Sequence, residues 1–165
     1  MLIQAWTFSG LSALSAALVL VGGGPIRARA VATGAVLPVG AQPPAEVRNF
    51  YAGSDVVVVP SVATRDFREP WGLVVNEAFN QGVPVIATDA VGAVAGGLVR
   101  HERTGLVVPA GDVPALASAL RRMHDEPHLR ARLGAAAREA VNGYTHAAWA
   151  AGVSKALHSV GASRC

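Results

Sequence analysis

The chain contains very little cysteine and little charge. Its single cysteine, Cys165, is the last residue and cannot form a disulfide within the chain. We therefore expect a cytoplasmic protein that does not depend on oxidation. Charged residues make up 15% of the chain, against about 25% in average soluble proteins, while hydrophobic residues make up 52%. A composition this apolar excludes a disordered protein and predicts a large buried core.

Positive charge is absent from the start of the chain and only slightly in excess over the whole. No Lys or Arg precedes Arg27, so the apolar run 11–21 lacks the positive region of a signal peptide. The run is also too short to span a bilayer, and we interpret it as the end of a helix followed by a strand. The net charge is +3, and the arginines are scattered without interleaved aromatic residues. This pattern argues against nucleic acid as a partner.

Short apolar runs alternate with helical segments along the first two thirds of the 165-residue chain. The runs are nearly continuous rather than alternating, which is typical of strands buried on both faces of a parallel sheet. The sequence thus predicts a single α/β domain over residues 1–165 with a Rossmann-like, doubly wound parallel sheet. The predicted strands are residues 18–21, 35–39, 55–60, 83–88 and 105–109.

Two predicted helices connect the later strands. The first covers residues 44–52 and the second residues 70–81. In the second, Pro70 occupies a typical first helical position and Gly82 a typical C-terminal cap position.

Beyond Pro109 the pattern indicates helices alone. Asp112 is a candidate N-cap, Pro127 opens a second helix and a third begins at Thr145. Spacings of four, four and three residues place apolar side chains on one stripe of the third helix, which needs a partner surface. These side chains are Trp149, Val153, Leu157 and Val160.

Residues 69–88 carry most of the chemical information. Glu69 stands at the mouth of the predicted helix, Gly72 lies two positions inside it and Glu77 follows two turns later. A helix N-terminus with a bare glycine offers free N–H groups to an anion such as phosphate. Beside a phosphate the two carboxylates suit hydroxyl groups, because like charges repel. A ligand with phosphate and many hydroxyls is a sugar nucleotide.

A simpler interpretation of the same residues remains open at this point. Glu69 can be an acid that favours a helix N-terminus, and Glu77 a solvated helix residue. The glycines Gly22, Gly23 and Gly24 do not form a dinucleotide fingerprint, because the third glycine of that motif would fall at Arg27.

The segment E-P-W-G-L-V-V-N-E-A-F-N-Q-G-V-P-V-I-A-T resembles the donor-site motif of the retaining glycosyltransferases of family 4 (glycosyltransferase group 1), which have the GT-B fold. It matches the pattern E-x-[FW]-G-L-x-x-x-E-A-x-x-x-G-x-P-V-I-A-T at every fixed position. Four further segments resemble elements of this family in the right order. They are residues 18–25, 39–40, 51–61 and 104–112.

The resemblance assigns roles to particular residues. It implies that Glu69 binds hydroxyls of the donor sugar, and that backbone N–H groups around Trp71, Gly72 and Leu73 meet the sugar and diphosphate. Glu77 would bind the ribose hydroxyls. The remaining nucleotide-binding positions would be two turns, at Val39 and Gly40 near the base and at Gly22 and Gly23. No catalytic residue is assigned.

The resemblance also implies that parts of a family member are missing. The chain lacks an N-terminal acceptor domain, and residues 2–6 resemble the helix that follows the first strand of the donor domain. Loss of that central strand would leave two rows of backbone groups unpaired or make the sheet close up. The basic residues that neutralise the donor diphosphate cannot be assigned.

The sequence therefore predicts a truncated or partial glycosyltransferase that moves a hexose from a nucleoside diphosphate sugar to an acceptor hydroxyl with retention. Two alternatives are a non-catalytic nucleotide-sugar binding module, or half of a split enzyme, and a GT-B sugar-nucleotide 2-epimerase. No cofactor is expected. No metal is expected either, because the five histidines lack metal-ligand spacing.

Partners follow from the same resemblance. They are a nucleotide sugar, an acceptor that is a sugar or lipid-linked, and either an N-terminal partner domain or a second copy of the chain. The arginines of residues 121–138 most simply form a solvated face, and peripheral contact with the inner face of the membrane is the alternative.

Overall fold

The computed structural model describes residues 1–25, 30–31, 33 and 35–161, so Arg27 and Cys165 lie outside the described residues. Five strands and seven helices are defined within that part of the chain. The strands are β1 (Leu18–Val21), β2 (Val36–Gly40), β3 (Val57–Val59), β4 (Val85–Thr88) and β5 (Gly105–Val108). The helices are α1 (Leu2–Ser9), α2 (Pro44–Ala52), α3 (Leu73–Asn80), α4 (Gly92–Ala95), α5 (Val113–Asp125), α6 (Pro127–Val141) and α7 (His146–Ser159).

The predicted fold class is confirmed. All five strands are present at the predicted places, and every strand pair in the two sheets is parallel. The strands do not form one continuous sheet, however, because β1 pairs with β2 while β3, β4 and β5 form a second sheet in that order. Within the described strands, β1 and β3 are not hydrogen-bonded to each other.

Two hydrophobic cores lie on opposite faces of the three-stranded sheet. Alternate residues of β4 point into different cores: Ile86 packs with α1, α5 and the first half of α6, whereas Val85 and Ala87 pack with α3 and the second half of α6. This alternation follows from the two-residue period of a strand. Because helices cover both faces, β4 is completely buried.

The predicted helix 70–81 is confirmed in its second part and wrong at its start. Helix α3 begins at Leu73, because Gly72 has a φ of +86° and a helix cannot continue through that conformation. Pro70, Trp71 and Gly72 therefore belong to a loop. Gly82 follows the helix with a φ of +72°, as expected of a glycine that ends a helix.

The start of the chain differs from the prediction as well. Helix α1 ends at Ser9, and Gly10 closes it in the left-handed conformation. Residues 11–17 are therefore a loop, and the apolar run 11–21 does not begin with the end of a helix.

The predicted C-terminal helices are all present with their caps. The side chain of Asp112 accepts a hydrogen bond from the N–H of Ala115 at the start of α5. Thr145 caps α7 in the same way. The apolar stripe of α7 is uncovered, and Trp149 and Val160 expose 72% and 76% of their surface.

No helix in the described part of the chain combines the length and hydropathy that a bilayer crossing requires.

Two helical glycines provide a test of the packing. A Cβ on Gly134 in α6 would stand 2.3 Å from the backbone oxygen of Gly82, whereas a Cβ on Gly152 in α7 would meet no atom within 4 Å. We expect Gly134→Ala to destabilise the fold by about 1–3 kcal/mol through overpacking. Urea unfolding followed by circular dichroism measures this change.

Gly152→Ala is the matched control. Alanine favours a helix over glycine by about 0.5–1 kcal/mol, so this change should leave stability equal or higher. Equal destabilisation by both substitutions would contradict the contact between α6 and the turn at Gly82.

Candidate functional site

The loop from β3 to α3 lies at the carboxyl edge of the three-stranded sheet. Thr88, the last residue of β4, donates a hydrogen bond from Oγ1 to the backbone oxygen of Ser61 at 2.5 Å. This bond ties the start of the loop to the end of the neighbouring strand. Open α/β sheets bind ligands at this edge, so the loop brings Glu69 and α3 to a suitable place.

The amino end of α3 is open to a ligand. Gly72 is the N-cap of this helix and no side chain caps its N–H groups. The glycine is buried, and a Cβ there would stand 3.0 Å from Cγ1 of Val91. A larger residue is therefore excluded by both space and conformation.

Glu69 lies beside this helix end. Its Cγ is 3.8 Å from the place that a Cβ on Gly72 would take. The side chain is half-buried, and no hydrogen bond or ion pair joins its carboxylate to any described residue. A half-buried carboxylate that lacks a protein partner retains its capacity to accept hydrogen bonds from a ligand.

Trp71 is held in place on several sides. Its Nε1–H donates a hydrogen bond to Oδ1 of Asn76 at 2.7 Å, and its ring lies 5.6 Å from that of Tyr144. The backbone oxygen of Trp71 accepts a hydrogen bond from the N–H of Ala93. Gly96 lies against the indole, where a Cβ would be 2.4 Å from it. The indole thus fixes the loop, and a ligand would meet the backbone of this residue.

Glu77 stands on the exposed surface of α3 and is oriented from a different helix. The hydroxyl of Tyr51 in α2 donates a hydrogen bond to Oε2 of Glu77 at 2.8 Å. The other carboxylate oxygen has no partner among the described residues. Tyr51 therefore fixes the direction in which the free oxygen of Glu77 points.

The same contact changes the ionisation of Tyr51. Burial, the hydrogen bond to Glu77 and the negative charge of Glu77 raise the pKa of Tyr51 well above its ordinary value of 10.0. Since the folded pKa exceeds the unfolded one, the associated stability is complete below pH 10 and is lost as the pH rises above it. Tyr51 is consequently a neutral donor throughout the physiological range.

The four nucleotide-binding positions predicted on the other sheet lie together. The N–H of Gly22 donates to the backbone oxygen of Gly40 at 2.8 Å, so the turn after β1 is joined to the last residue of β2. Gly22 and Gly40 both have positive φ angles. Val39 accepts a hydrogen bond from Nε2 of Gln42, and Gly23 is exposed in the same turn as Gly22.

A cavity of about 680 Å³ lies between β1 and β3. None of the predicted site residues lines it. The predicted site residues fall into two groups. Glu69, Trp71, Gly72 and Leu73 lie together at the amino end of α3, with Glu77 further along the same helix, and Gly22, Gly23, Val39 and Gly40 lie together at the carboxyl ends of β1 and β2.

Several residues that shape the site could not be recognised in the sequence. Tyr51 lies in the segment 51–61 that supports the family resemblance, yet nothing in that pattern links it to Glu77. Asn76 and Tyr144, which hold Trp71, gave no signal. Arg65 and Arg68 are exposed cations in the loop just before Glu69, and no sequence pattern had marked them as site residues.

Among residues 1–25, 30–31, 33 and 35–161, no three His, Cys, Asp or Glu side chains are grouped so that they could hold a metal ion.

Comparisons with known proteins show the family and the fold of the chain. The family described as glycosyl transferases group 1 matches residues 1–126. The D-inositol 3-phosphate glycosyltransferase of Corynebacterium glutamicum (strain R) is 39% identical over 116 residues, which are 68% of this chain and 25% of that protein. The chain thus spans about a quarter of the length of this curated relative.

Solved structures show the same fold. Sucrose-phosphate synthase from Thermosynechococcus elongatus superposes with a TM-score of 0.75 at 30% identity, over 98% of this chain and 43% of that one. Anabaena Alr3699/HepE, solved in complex with UDP, gives a TM-score of 0.77 at 22% identity, over 96% and 45% of the two chains. The match over residues 1–126 confirms the resemblance seen in the sequence, and the chain belongs to the glycosyl transferases group 1 family.

Proposed function

We propose that this chain is the donor-binding part of a retaining glycosyltransferase, in which a hexose moves from a nucleoside diphosphate sugar to an acceptor hydroxyl. The observation that carries the proposal is the open amino end of α3, where Gly72 lies between Glu69 and Glu77. This site uses no metal and no covalent cofactor. The acceptor is a sugar or a lipid-linked molecule.

The diphosphate binds at the amino end of α3. The N–H groups of Leu73 and Val74 belong to the first turn of the helix and have no partner within it. The positive end of the helix dipole adds to the attraction for an anion. Gly72 turns the chain into the helix with a left-handed φ of +86°, and no side chain caps the N–H groups that follow it.

The two glutamates bind hydroxyls on either side of the diphosphate. Repulsion between like charges keeps them from the phosphates, whereas carboxylate oxygens are strong acceptors for sugar O–H groups. Glu69 faces the sugar, and its unpartnered carboxylate supports this role. Glu77 takes the ribose hydroxyls with the oxygen that Tyr51 leaves free.

The carboxyl ends of β1 and β2 bind the nucleotide end of the donor. Gly22, Gly23, Val39 and Gly40 stand at the carboxyl ends of parallel strands, where backbone groups are available to a base. The hydrogen bond between Gly22 and Gly40 holds the two turns in one arrangement.

UDP is the first nucleotide to test. The Anabaena structure at 22% identity was solved in complex with UDP, and the Corynebacterium relative acts on an inositol phosphate according to its name. These names guide the choice of probes.

A second candidate function is a nucleotide-sugar binding module, or one half of a split enzyme. Donor binding without transfer by the 165-residue chain, and transfer once an acceptor-binding half is added, would support the split-enzyme form.

The role of Glu77 is tested by Glu77→Ala. Loss of charge-assisted hydrogen bonds to ribose should weaken binding of UDP and UDP-glucose alike, by about 1–3 kcal/mol or about 5- to 150-fold. Isothermal titration calorimetry measures both ligands. Tyr51→Phe should produce a smaller loss, because it removes only the group that orients Glu77.

The matched control is Glu139→Ala. Glu139 is an exposed helical glutamate in α6, and no partner contacts its carboxylate among the described residues. The Glu139→Ala variant should bind UDP with the same affinity as the unchanged chain. UDP binding that is unaffected by Glu77→Ala would contradict the ribose role.

The role of Glu69 is tested by comparing two ligands. We expect Glu69→Ala to weaken UDP-glucose by about 1–3 kcal/mol while UDP binds as before, because Glu69 contacts the sugar alone. Isothermal titration calorimetry measures the dissociation constants of UDP and UDP-glucose. Thermal unfolding shows whether the variant is folded. An equal loss for UDP and UDP-glucose would show that Glu69 acts on the nucleotide and not on the sugar.

A further inference from the structure

The loop just before Glu69 contains a turn that is exposed and yet held by hydrogen bonds. Residues 62–68 are all exposed. Within them, the N–H of Thr64 donates to the backbone oxygen of Phe67 at 2.8 Å, and the N–H of Phe67 donates to Oγ1 of Thr64 at 3.1 Å. The same Oγ1 donates to the backbone oxygen of Phe67 at 3.4 Å. We call residues 64–68 the aromatic turn.

The ring of Phe67 lies in solvent although the backbone of this residue is fixed. Phe67 exposes 58% of its surface, and its ring contacts no aromatic ring or cation of the described chain. Val62 and Leu73, before and after the turn in the chain, expose 44% and 71%. Exposed apolar side chains beside a candidate site are typical of a binding surface.

Three charged side chains flank Phe67 in the turn. They are those of Arg65, Asp66 and Arg68, and none of them makes a hydrogen bond or ion pair with a described residue. The guanidinium groups are donors and the carboxylate is an acceptor. The aromatic turn thus offers a flat apolar ring together with unpartnered hydrogen-bonding groups of both kinds.

A neutral sugar ring fits this combination of groups. The C–H groups of a sugar pack against the face of an aromatic ring, where the π-system carries partial negative charge. Its hydroxyls can both donate and accept hydrogen bonds. In residues 64–69 the two arginines are balanced by Asp66 and Glu69. No net positive charge therefore favours a phosphate or an anionic lipid surface over a neutral ligand.

Phe67 is close enough to Glu69 to bind a second sugar beside the donor sugar. Two residues of extended chain span at most about 7 Å, so the Cα atoms of Phe67 and Glu69 are no further apart than this. Glu69 is half-buried beside the amino end of α3, whereas Phe67 is exposed. A ring stacked on Phe67 would lie on the solvent side of the donor sugar.

We propose that the aromatic turn binds the acceptor and that the acceptor presents a neutral sugar ring there. The proposal rests on the proposed function, because an acceptor on Phe67 is in reach of the donor sugar only if Glu69 binds that sugar. Phe67 stacks on the acceptor ring. Arg65 and Arg68 donate hydrogen bonds to its hydroxyls, and Asp66 accepts one.

The test is a titration of the isotope-labelled 165-residue chain, followed by nuclear magnetic resonance. The probes are methyl α-D-glucoside, methyl α-D-mannoside and methyl α-D-galactoside. A sugar held by one aromatic ring binds in the millimolar range, so each probe is added up to about 50 mM. We expect saturable shifts of the amide resonances of residues 64–68 with at least one sugar. Phe67→Ala should weaken this binding at least about tenfold, and Phe67→Trp should retain it.

The matched control is Phe8→Ala. Phe8 in α1 is also an exposed phenylalanine, with 65% of its surface in solvent. The Phe8→Ala variant should bind the sugars with the same affinity as the unchanged chain. Both substitutions are on the surface and should leave the fold intact.

Titrations with UDP and UDP-glucose separate the acceptor site from the donor site. The Phe67→Ala variant should bind both nucleotides with unchanged affinity. If the chain binds UDP and its sugar binding does not depend on Phe67, the acceptor site is wrong and the donor site stands. Sugar binding through Phe67 in a chain that does not bind UDP would contradict the donor site and confirm the sugar site of the turn.

Four further results would overturn the proposal. The first is the absence of saturable shifts with all three sugars, and the second is an equal loss from Phe67→Ala and Phe8→Ala. The third is a loss of UDP-glucose but not UDP binding in Phe67→Ala, which would assign Phe67 to the donor sugar. The fourth is an anion site, shown by inorganic phosphate or phosphatidylglycerol vesicles that bind the unchanged chain but not its Arg68→Gln variant.

Discussion

Burial of β4 on both faces is the constraint around which the rest of the structure is arranged. Each of its four residues is buried, and the strand is hydrogen-bonded to β3 on one side and to β5 on the other. Helices must then cover both faces, which α5 and α3 do. The backbones of β4 and β5 are packed so closely that no side chain fits at Gly105, because a Cβ there would stand 2.5 Å from the backbone oxygen of Val85. At its carboxyl end β4 holds the loop that leads to Glu69 through the bond from Thr88 to Ser61.

Close backbone contacts, in turn, give the site its shape. A Cβ on Gly92 would stand 2.0 Å from the oxygen of Pro70, so the loop before α3 lies directly against the start of α4. Gly72 turns the chain into α3, and Gly96 leaves room for the indole of Trp71. The backbone at the amino end of α3 is thereby fixed before any ligand arrives. Such preorganisation reduces the ordering cost of binding.

Much of this architecture was predictable from local sequence patterns. The apolar runs gave all five strands, and Asp112, Pro127 and Thr145 marked the starts of helices correctly, because strand burial and helix capping depend on neighbouring residues. The start of α3 was placed three residues too early, since a proline suits a first turn and the backbone angle of Gly72 is not visible in sequence. Sequence patterns could not predict the contacts between distant residues, because these contacts exist only in the folded chain. Examples are the contact of Tyr51 with Glu77 and that of Trp71 with Tyr144.

Tyr51 connects two helices at the proposed nucleotide site. Its hydroxyl, in α2, donates to the carboxylate of Glu77 in α3, and its side chain packs against the core that contains Val75 and Phe79. The position of α2 therefore sets the direction of the carboxylate oxygen that remains free for a ligand. A ligand that binds Glu77 more tightly in one position of α2 must favour that position to the same degree, because the two equilibria are linked.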